Sequence, residues 1–197
     1  MTSWSECESI IQEFKAHYTL LPPEHELVYK YAMEIPAGGI AMELGICYGR
    51  TAAVLAYCAR EKGFEAHGID AFFLVQDFDA NMLKAKLTAL NLPYTVHDGL
   101  TTDTPISYRS GQVAMVPWDR ELDLLIIDAS HNDPWVSADF KRWIPFVKIG
   151  GVGIFDDIGF EEDSTSPHND AYLAAHKYTD GWQEEFHDGR LLIRRRI

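Results

Sequence analysis

One stretch, residues 122–157, constrains this chain more than any other. It opens with Leu122-Asp123-Leu124-Leu125-Ile126-Ile127-Asp128, in which five of seven residues are Leu or Ile. Such a run is the mark of a β-strand buried on both faces. The polar loop Ala129-Ser130-His131-Asn132-Asp133-Pro134 follows. Then Trp135, Val136, Phe140, Trp143, Ile144 and Val147 recur at roughly helical spacing, with Pro145 breaking the last turn. Gly150-Gly151 closes the unit, and Val152-Gly153-Ile154-Phe155 ends in Asp156-Asp157. The pattern is strand, loop, helix, strand. Parallel strands joined this way cross over right-handed and usually neighbour each other. Asp128, Asp156 and Asp157 are then expected side by side at the carboxyl edge of the sheet, where open α/β sheets bind ligands. Clustered carboxylates raise one another's pKa unless a cation joins them, and a hard divalent ion such as Mg2+ suits oxygen ligands. A single acid at a strand end is more often a cap for nearby amides. Three acids with His131 beside them favour a functional site.

A second unit precedes this one. Ile40-Ala41-Met42-Glu43-Leu44 reads as a strand, Gly45-Ile46-Cys47-Tyr48-Gly49-Arg50-Thr51 as a tight turn, and Thr51 to Lys62 as a helix ended by Gly63. A glycine turn before a helix N-terminus allows backbone to approach a ligand and offers free N–H groups. The spacing is GxxxG, which disfavours the GxGxxG of dinucleotide-binding folds. Ala66-His67-Gly68-Ile69-Asp70 is a short second strand ending in an acid, the place where nucleotide-binding α/β folds hold ribose hydroxyls.

The remaining elements are read from spacing and punctuation. Ser5 to Tyr18 forms an amphipathic helix with Ser5 and Glu8 as a capping box, and Pro22-Pro23 opens a second helix from Glu24 to Glu34. Asp79 to Asn91 is a helix burying Met82, Leu83, Leu87 and Leu90. The third strand is either Tyr94 to Asp98 or Pro105 to Arg109, and the second choice is preferred, with Ser110 capping a short helix. Residues 158–169 form an acidic loop suited to a wall over a site. After a helix from Asn169 to Tyr178, two strands flank the hairpin turn Asp188-Gly189. Arg194-Arg195-Arg196 reads as a solvated edge.

Length and charge bound the rest. At 197 residues the chain is expected to form one domain, 1–197, with residues 1–36 as N-terminal helices that pack on the sheet or form a small lid. A formal net charge of −13 argues against nucleic acid or anionic membrane as partner, leaving a small-molecule substrate. The cysteines Cys7, Cys47 and Cys58 form no CxxC pair, and no basic-then-apolar leader opens the chain, so a reducing, cytoplasmic location is expected.

Together these residues resemble the class I S-adenosylmethionine-dependent methyltransferases. Glu43 to Thr51 looks like the family's first motif, ExGxxxGxS/T, and Asp70 matches its ribose acid. Leu124 to His131 is similar to the IDGDH-like segment of a bacterial subgroup. Trp143 to Gly151 matches that subgroup's W-x-P-x-x-K-x-G-G, and Phe155-Asp156-Asp157 its terminal acids. The resemblance implies a doubly wound, mostly parallel seven-stranded α/β sheet with helices on both faces and an antiparallel C-terminal strand, a Rossmann-like fold. It implies S-adenosylmethionine as cofactor, held by Glu43, Gly45, Tyr48, Gly49, Thr51, Asp70, Ser110 and Asp128. The cofactor carboxylate is expected over the Gly45 to Gly49 turn and the adenine near Ser110. In metal-dependent O-methyltransferases the metal positions map onto Asp128, Asp156 and Asp157, with Mg2+ as the expected ion. Asp128 and His131 are the expected catalytic pair, His131 as general base for methylation of a sugar or phenolic hydroxyl. The short N-terminal part calls for a small lid or one completed by a partner chain in a homo-oligomer. Two other readings are a metal-dependent hydrolase or hydroxylase-associated enzyme on the same sheet, and a non-catalytic cofactor-binding domain.

Overall fold

A computed structural model of the protein describes residues 3–15, 20–73, 75, 77–103, 114–159 and 169–197. Its centre is a seven-stranded sheet in the order β3-β2-β1-β4-β5-β7-β6. The strands are β1 (Ile40–Leu44), β2 (Glu65–Asp70), β3 (Thr95–Asp98), β4 (Leu122–Ile127), β5 (Val147–Phe155), β6 (Gln183–His187) and β7 (Leu192–Arg195). The first five pair in parallel, and β7 runs antiparallel to both β5 and β6. The helices are α1 (Trp4–Ile11), α2 (Pro22–Ala32), α3 (Arg50–Lys62), α4 (Ala80–Ala89), α5 (Trp135–Trp143) and α6 (Asn169–Tyr178). This is the doubly wound, mostly parallel α/β architecture expected from the sequence. None of the described helices is long and apolar enough to cross a membrane.

The central strands are apolar throughout because both their faces are covered. Side chains alternate across a strand, so Ala41, Leu124, Ile126, Val152 and Ile154 turn to the side of α1–α4. Met42, Leu44, Leu125, Ile127 and Phe155 turn to α5 and α6. The N-terminal helices α1 and α2 pack on α3, and Cys7, Ile11 and Val28 join the α3 core cluster.

Several local expectations change. The third strand is Thr95–Asp98, parallel to β2, and the preferred alternative at 105–109 lies outside the described residues. Only Val96 of that strand is buried, so its hydrophobic signal was weak. Helix α1 is capped by Ser3, which accepts from the Glu6 N–H, rather than by Ser5. Met82 is half-exposed, whereas Leu83 and Leu87 face the core. Strand β5 begins at Val147 rather than Val152, because an irregularity lets Val147 pair with Leu122 before the ladder resumes at Leu124 and Val152. The Arg194 to Arg196 run is not a solvated edge: β7 is an interior strand, and Arg194 is buried.

Candidate active site

The strand order reverses between β1 and β4, the kind of switch point at which open α/β sheets form a crevice. Leu44 pairs with Ile127, and Ile127 with Phe155, so the three chains leave the sheet at one level. The ladder continues beyond the strands: Gly45 N–H donates to Ile69 O, Asp128 N–H to Leu44 O, and Asp156 N–H to Ile127 O. Gly45 turns away with φ +87°, and a Cβ there would overlap the Asp128 carbonyl oxygen. That close approach is what glycine permits. Gly49, with φ +85°, is the N-cap of α3 and supplies no side-chain cap. The amides that open α3 thus face the crevice end of the sheet rather than a capping side chain.

Asp70, at the end of β2, fastens this turn. One carboxylate oxygen accepts from Ile46 N–H and Cys47 N–H, each at 2.8 Å, and the other accepts from Phe72 N–H. Glu43 is fully buried beneath it and accepts from the Tyr94 hydroxyl. Burial pushes the Glu43 carboxyl up to about 8.

The acids of the two later strands meet beside the turn. Asp128, His131 and Asp156 each bring a donor atom to within 4.8 Å of the others. His131 Nε2 lies 3.9 Å from Asp128 Oδ1, and its Nδ1 lies 3.6 Å from Asp157 Oδ2. Burial, then the charges of Asp156 and Glu43, push the Asp128 carboxyl well above the usual range. Burial and then the Asp157 charge raise that of Asp156. Carboxyl groups this close are held apart from full ionisation until a cation compensates them. The buried Asp156 Oδ1 makes no hydrogen bond among the described residues. Two carboxylates and an imidazole offer donor chemistry that fits a divalent ion, at a place where the Asp156 oxygen has only a guanidinium 3.5 Å away and no hydrogen bond.

The family model for a methyltransferase domain matches residues 42–158, more than half of the chain. The chain belongs to this methyltransferase family. Its fold is that of solved class I enzymes at low sequence identity. An O-methyltransferase from Bacillus cereus in complex with SAH is 15% identical, with 100% of this chain and 93% of that one covered and a TM-score of 0.62. CalS11, a TDP-rhamnose 3'-O-methyltransferase of calicheamicin biosynthesis, is 17% identical over 88% of this chain and 77% of its own, with a TM-score of 0.59. An rRNA methylase from Streptococcus thermophilus is 12% identical over 91% of this chain and 99% of that chain, with a TM-score of 0.57.

In this methyltransferase the structure gathers most residues singled out from the sequence at one edge. Gly45, Gly49 and Thr51 sit in the turn and the first turn of α3, where Thr51 is buried. Tyr48 packs its ring 5.3 Å from that of Phe78. Asp70, Asp128, His131, Asp156 and Asp157 lie at the same carboxyl edge of the sheet. Glu43 lies under the sheet end, with its carboxylate taken by Tyr94. Ser110 and most of the acidic loop lie outside the described residues. Two residues at the site were not found by sequence reasoning. Arg190, from the hairpin between β6 and β7, reaches Asp156 and Asp157, and Glu24, from the first turn of α2, meets that guanidinium. The Asp188-Gly189 turn signal located the hairpin, but no local pattern shows what its next residue faces.

Proposed function

We propose that this methyltransferase moves the methyl group of S-adenosylmethionine to a hydroxyl on a small metabolite, a sugar or a phenol, with a divalent cation such as Mg2+ at the strand-end acids. The observation that carries the reading is the meeting of the glycine turn with the acid group: Gly45 packs against the very residue, Asp128, that opens the cluster. In this reading the turn from Gly45 to Thr51, with Tyr48, lines the amino-acid end of the cofactor. Asp70 gives three of its acceptor sites to backbone amides and keeps one, on Oδ1, for a ribose hydroxyl. The adenine is proposed near Ser110, which lies outside the described residues.

Bound there, the sulfonium supplies a methyl group that is already strongly electrophilic, and a divalent ion supplies a Lewis acid for the acceptor oxygen. The chain's own work is alignment and proton removal. His131 accepts the hydroxyl proton at a ring nitrogen, and the imidazolium that results lies between Asp128 and Asp157, whose charges stabilise it. Asp128, Asp156 and Asp157 are the residues that would hold the ion; His131, whose ring nitrogen also converges on Asp128 and Asp156, is kept for the proton in this reading. The sugar O-methyltransferase among the fold relatives supports a sugar acceptor. The net charge of −13 supports a small acceptor over RNA, although an rRNA methylase shares the fold.

Calorimetry tests the cofactor. Wild-type protein is expected to bind S-adenosylhomocysteine, and Asp70→Ala to lose at least tenfold in affinity. Absence of binding to the wild type removes the cofactor assignment, and metal binding without nucleoside binding would favour the hydrolase reading. Turnover on a panel of nucleotide sugars and catechols tests the metal. EDTA and Asp128→Asn are each expected to abolish methylation, and full activity after both treatments would exclude metal assistance.

A further inference from the structure

The hairpin between β6 and β7 brings a cation of the chain's own onto the acid group. Arg190 Nε lies 3.1 Å from Glu24 Oε1, 3.5 Å from Asp156 Oδ1 and 3.7 Å from Asp157 Oδ1. Glu24 is 3% exposed and Asp156 4% exposed, so two of these acids depend on neighbours rather than water for compensation. Yet the contacts are loose. Arg190 Nε is buried without a hydrogen bond of ordinary geometry, and so is Asp156 Oδ1. The same chain builds a tight guanidinium fork elsewhere, where Arg120 grips both oxygens of Glu65 at 2.7 Å. Arg190 is therefore held over the acids by charge and not by matched geometry. About a third of its side chain is exposed, at 36%, which leaves it a way out to solvent.

Asp156 takes part in two groupings at once. It faces Arg190, and it is one of the three residues whose donors converge with those of Asp128 and His131. A guanidinium 3.5 Å from a carboxylate occupies the space and the charge that a divalent ion needs there. We propose that Arg190 is the resident counter-ion of this site and competes with the divalent cation for Asp156, so that metal entry requires the guanidinium to leave. The inference rests on the metal-assisted reading above. It makes metal affinity scale with the fraction of molecules whose Arg190 has swung off the acids.

The test is a titration of the full chain with Mn2+ alone, for wild type, Arg190→Met, Arg190→Lys and Arg190→Met with Asp156→Asn. Arg190→Met is expected to bind Mn2+ about tenfold more tightly than wild type, and adding Asp156→Asn to abolish the gain. Arg190→Lys, which keeps the charge, is expected to stay near wild type. In metal-free buffer Arg190→Met melts lower than wild type, and Mn2+ raises its melting temperature by more. Equal or weaker binding by Arg190→Met, with wild type still binding, overturns the competition and leaves the metal reading standing. Tight binding by Arg190→Lys equal to that of Arg190→Met overturns the counter-ion role. No Mn2+ binding by wild type or Arg190→Met, while S-adenosylhomocysteine still binds, overturns both. Hydrogen exchange on the wild type gives a readout that needs no variant. Saturating Mn2+ is expected to speed exchange around residues 187–191, and unchanged or slower exchange there overturns the displacement.

Discussion

At residue 45 a methyl group would run into the Asp128 carbonyl oxygen, which belongs to backbone at the end of β4 and cannot rotate aside. The φ of +87° adds strain for any residue with a Cβ. Gly45→Ala is expected to cost ~3 kcal/mol or more, because clash and backbone strain add. Gly49 has nearly the same φ, +85°, but its added Cβ would meet the end of the Leu83 side chain, which can move. Gly49→Ala should therefore cost less, about 1–2 kcal/mol. Urea denaturation of the two variants measures the difference, and equal losses would mean that the turn is not pressed against β4. Both glycines were legible in the sequence, because the turn they make is local. Asp70 was legible only in part. Its place at a strand end pointed to a ribose, but its bonds to Ile46 and Cys47, 24 and 23 residues away, also make it the fastener of the turn. Arg190 and Glu24 were not legible at all, since they meet only after the whole sheet has formed.

Among the elements, the strands with continuous apolar runs were readable, and those whose pattern depends on neighbours were not. β1, β4 and the end of β5 are buried on both faces and announce themselves. β3 is an edge strand with one buried residue, and its His97 packs on Trp118, 6.2 Å between ring centres, instead of on an aliphatic core. β7 hid its position for the opposite reason: three arginines suggested an edge, while the strand lies between β5 and β6. Arg194 is buried there, donating to Thr179 Oγ1 at 2.9 Å and to Glu184 at 3.2 Å, so two of its nitrogens are bonded by the residue after α6 and by the neighbouring strand. Arg194→Ala removes both bonds and the aliphatic stem. We expect a loss of ~2 kcal/mol in unfolding free energy. A change within 0.5 kcal/mol of zero, the range of an ordinary surface substitution, would show that β7 behaves as the solvated edge the sequence suggested.

Over the whole molecule, buried groups of two kinds set how stability depends on pH, and they act on opposite sides. Burial, reinforced by Arg50, holds the His25 imidazole down at about 4, and burial also lowers His67 and His97. A histidine whose folded pKa is depressed stays neutral in the fold while the unfolded chain takes up a proton. Its contribution is complete above the ordinary value of 6.5 and is lost as pH falls toward about 4. Glu43 and Asp139 act the other way. Burial raises Glu43 from 4.5 to about 8 and Asp139 from 3.8 to about 7. Their protons are kept in the fold where the unfolded chain has released them, so stability is lost as pH rises through the folded values. Histidines contribute nothing to a slope above their ordinary value, so up to about pH 8 the alkaline limb belongs to the buried carboxyls, and nearer pH 9 the buried thiols Cys7, Cys47 and Cys58, also raised by burial, add to it. The melting temperature is therefore expected to fall between pH 6.5 and 9. Glu43→Gln keeps an acceptor for the Tyr94 hydroxyl but has no proton to lose. Its alkaline slope should be reduced by the share of Glu43, with the shares of Asp139 and Asp128 remaining, and its stability at pH 9 should exceed that of wild type by an amount on the order of a few kcal/mol. An alkaline slope unchanged in Glu43→Gln would place the proton release elsewhere and would mean that the carboxyl beneath the glycine turn is already ionised at neutral pH.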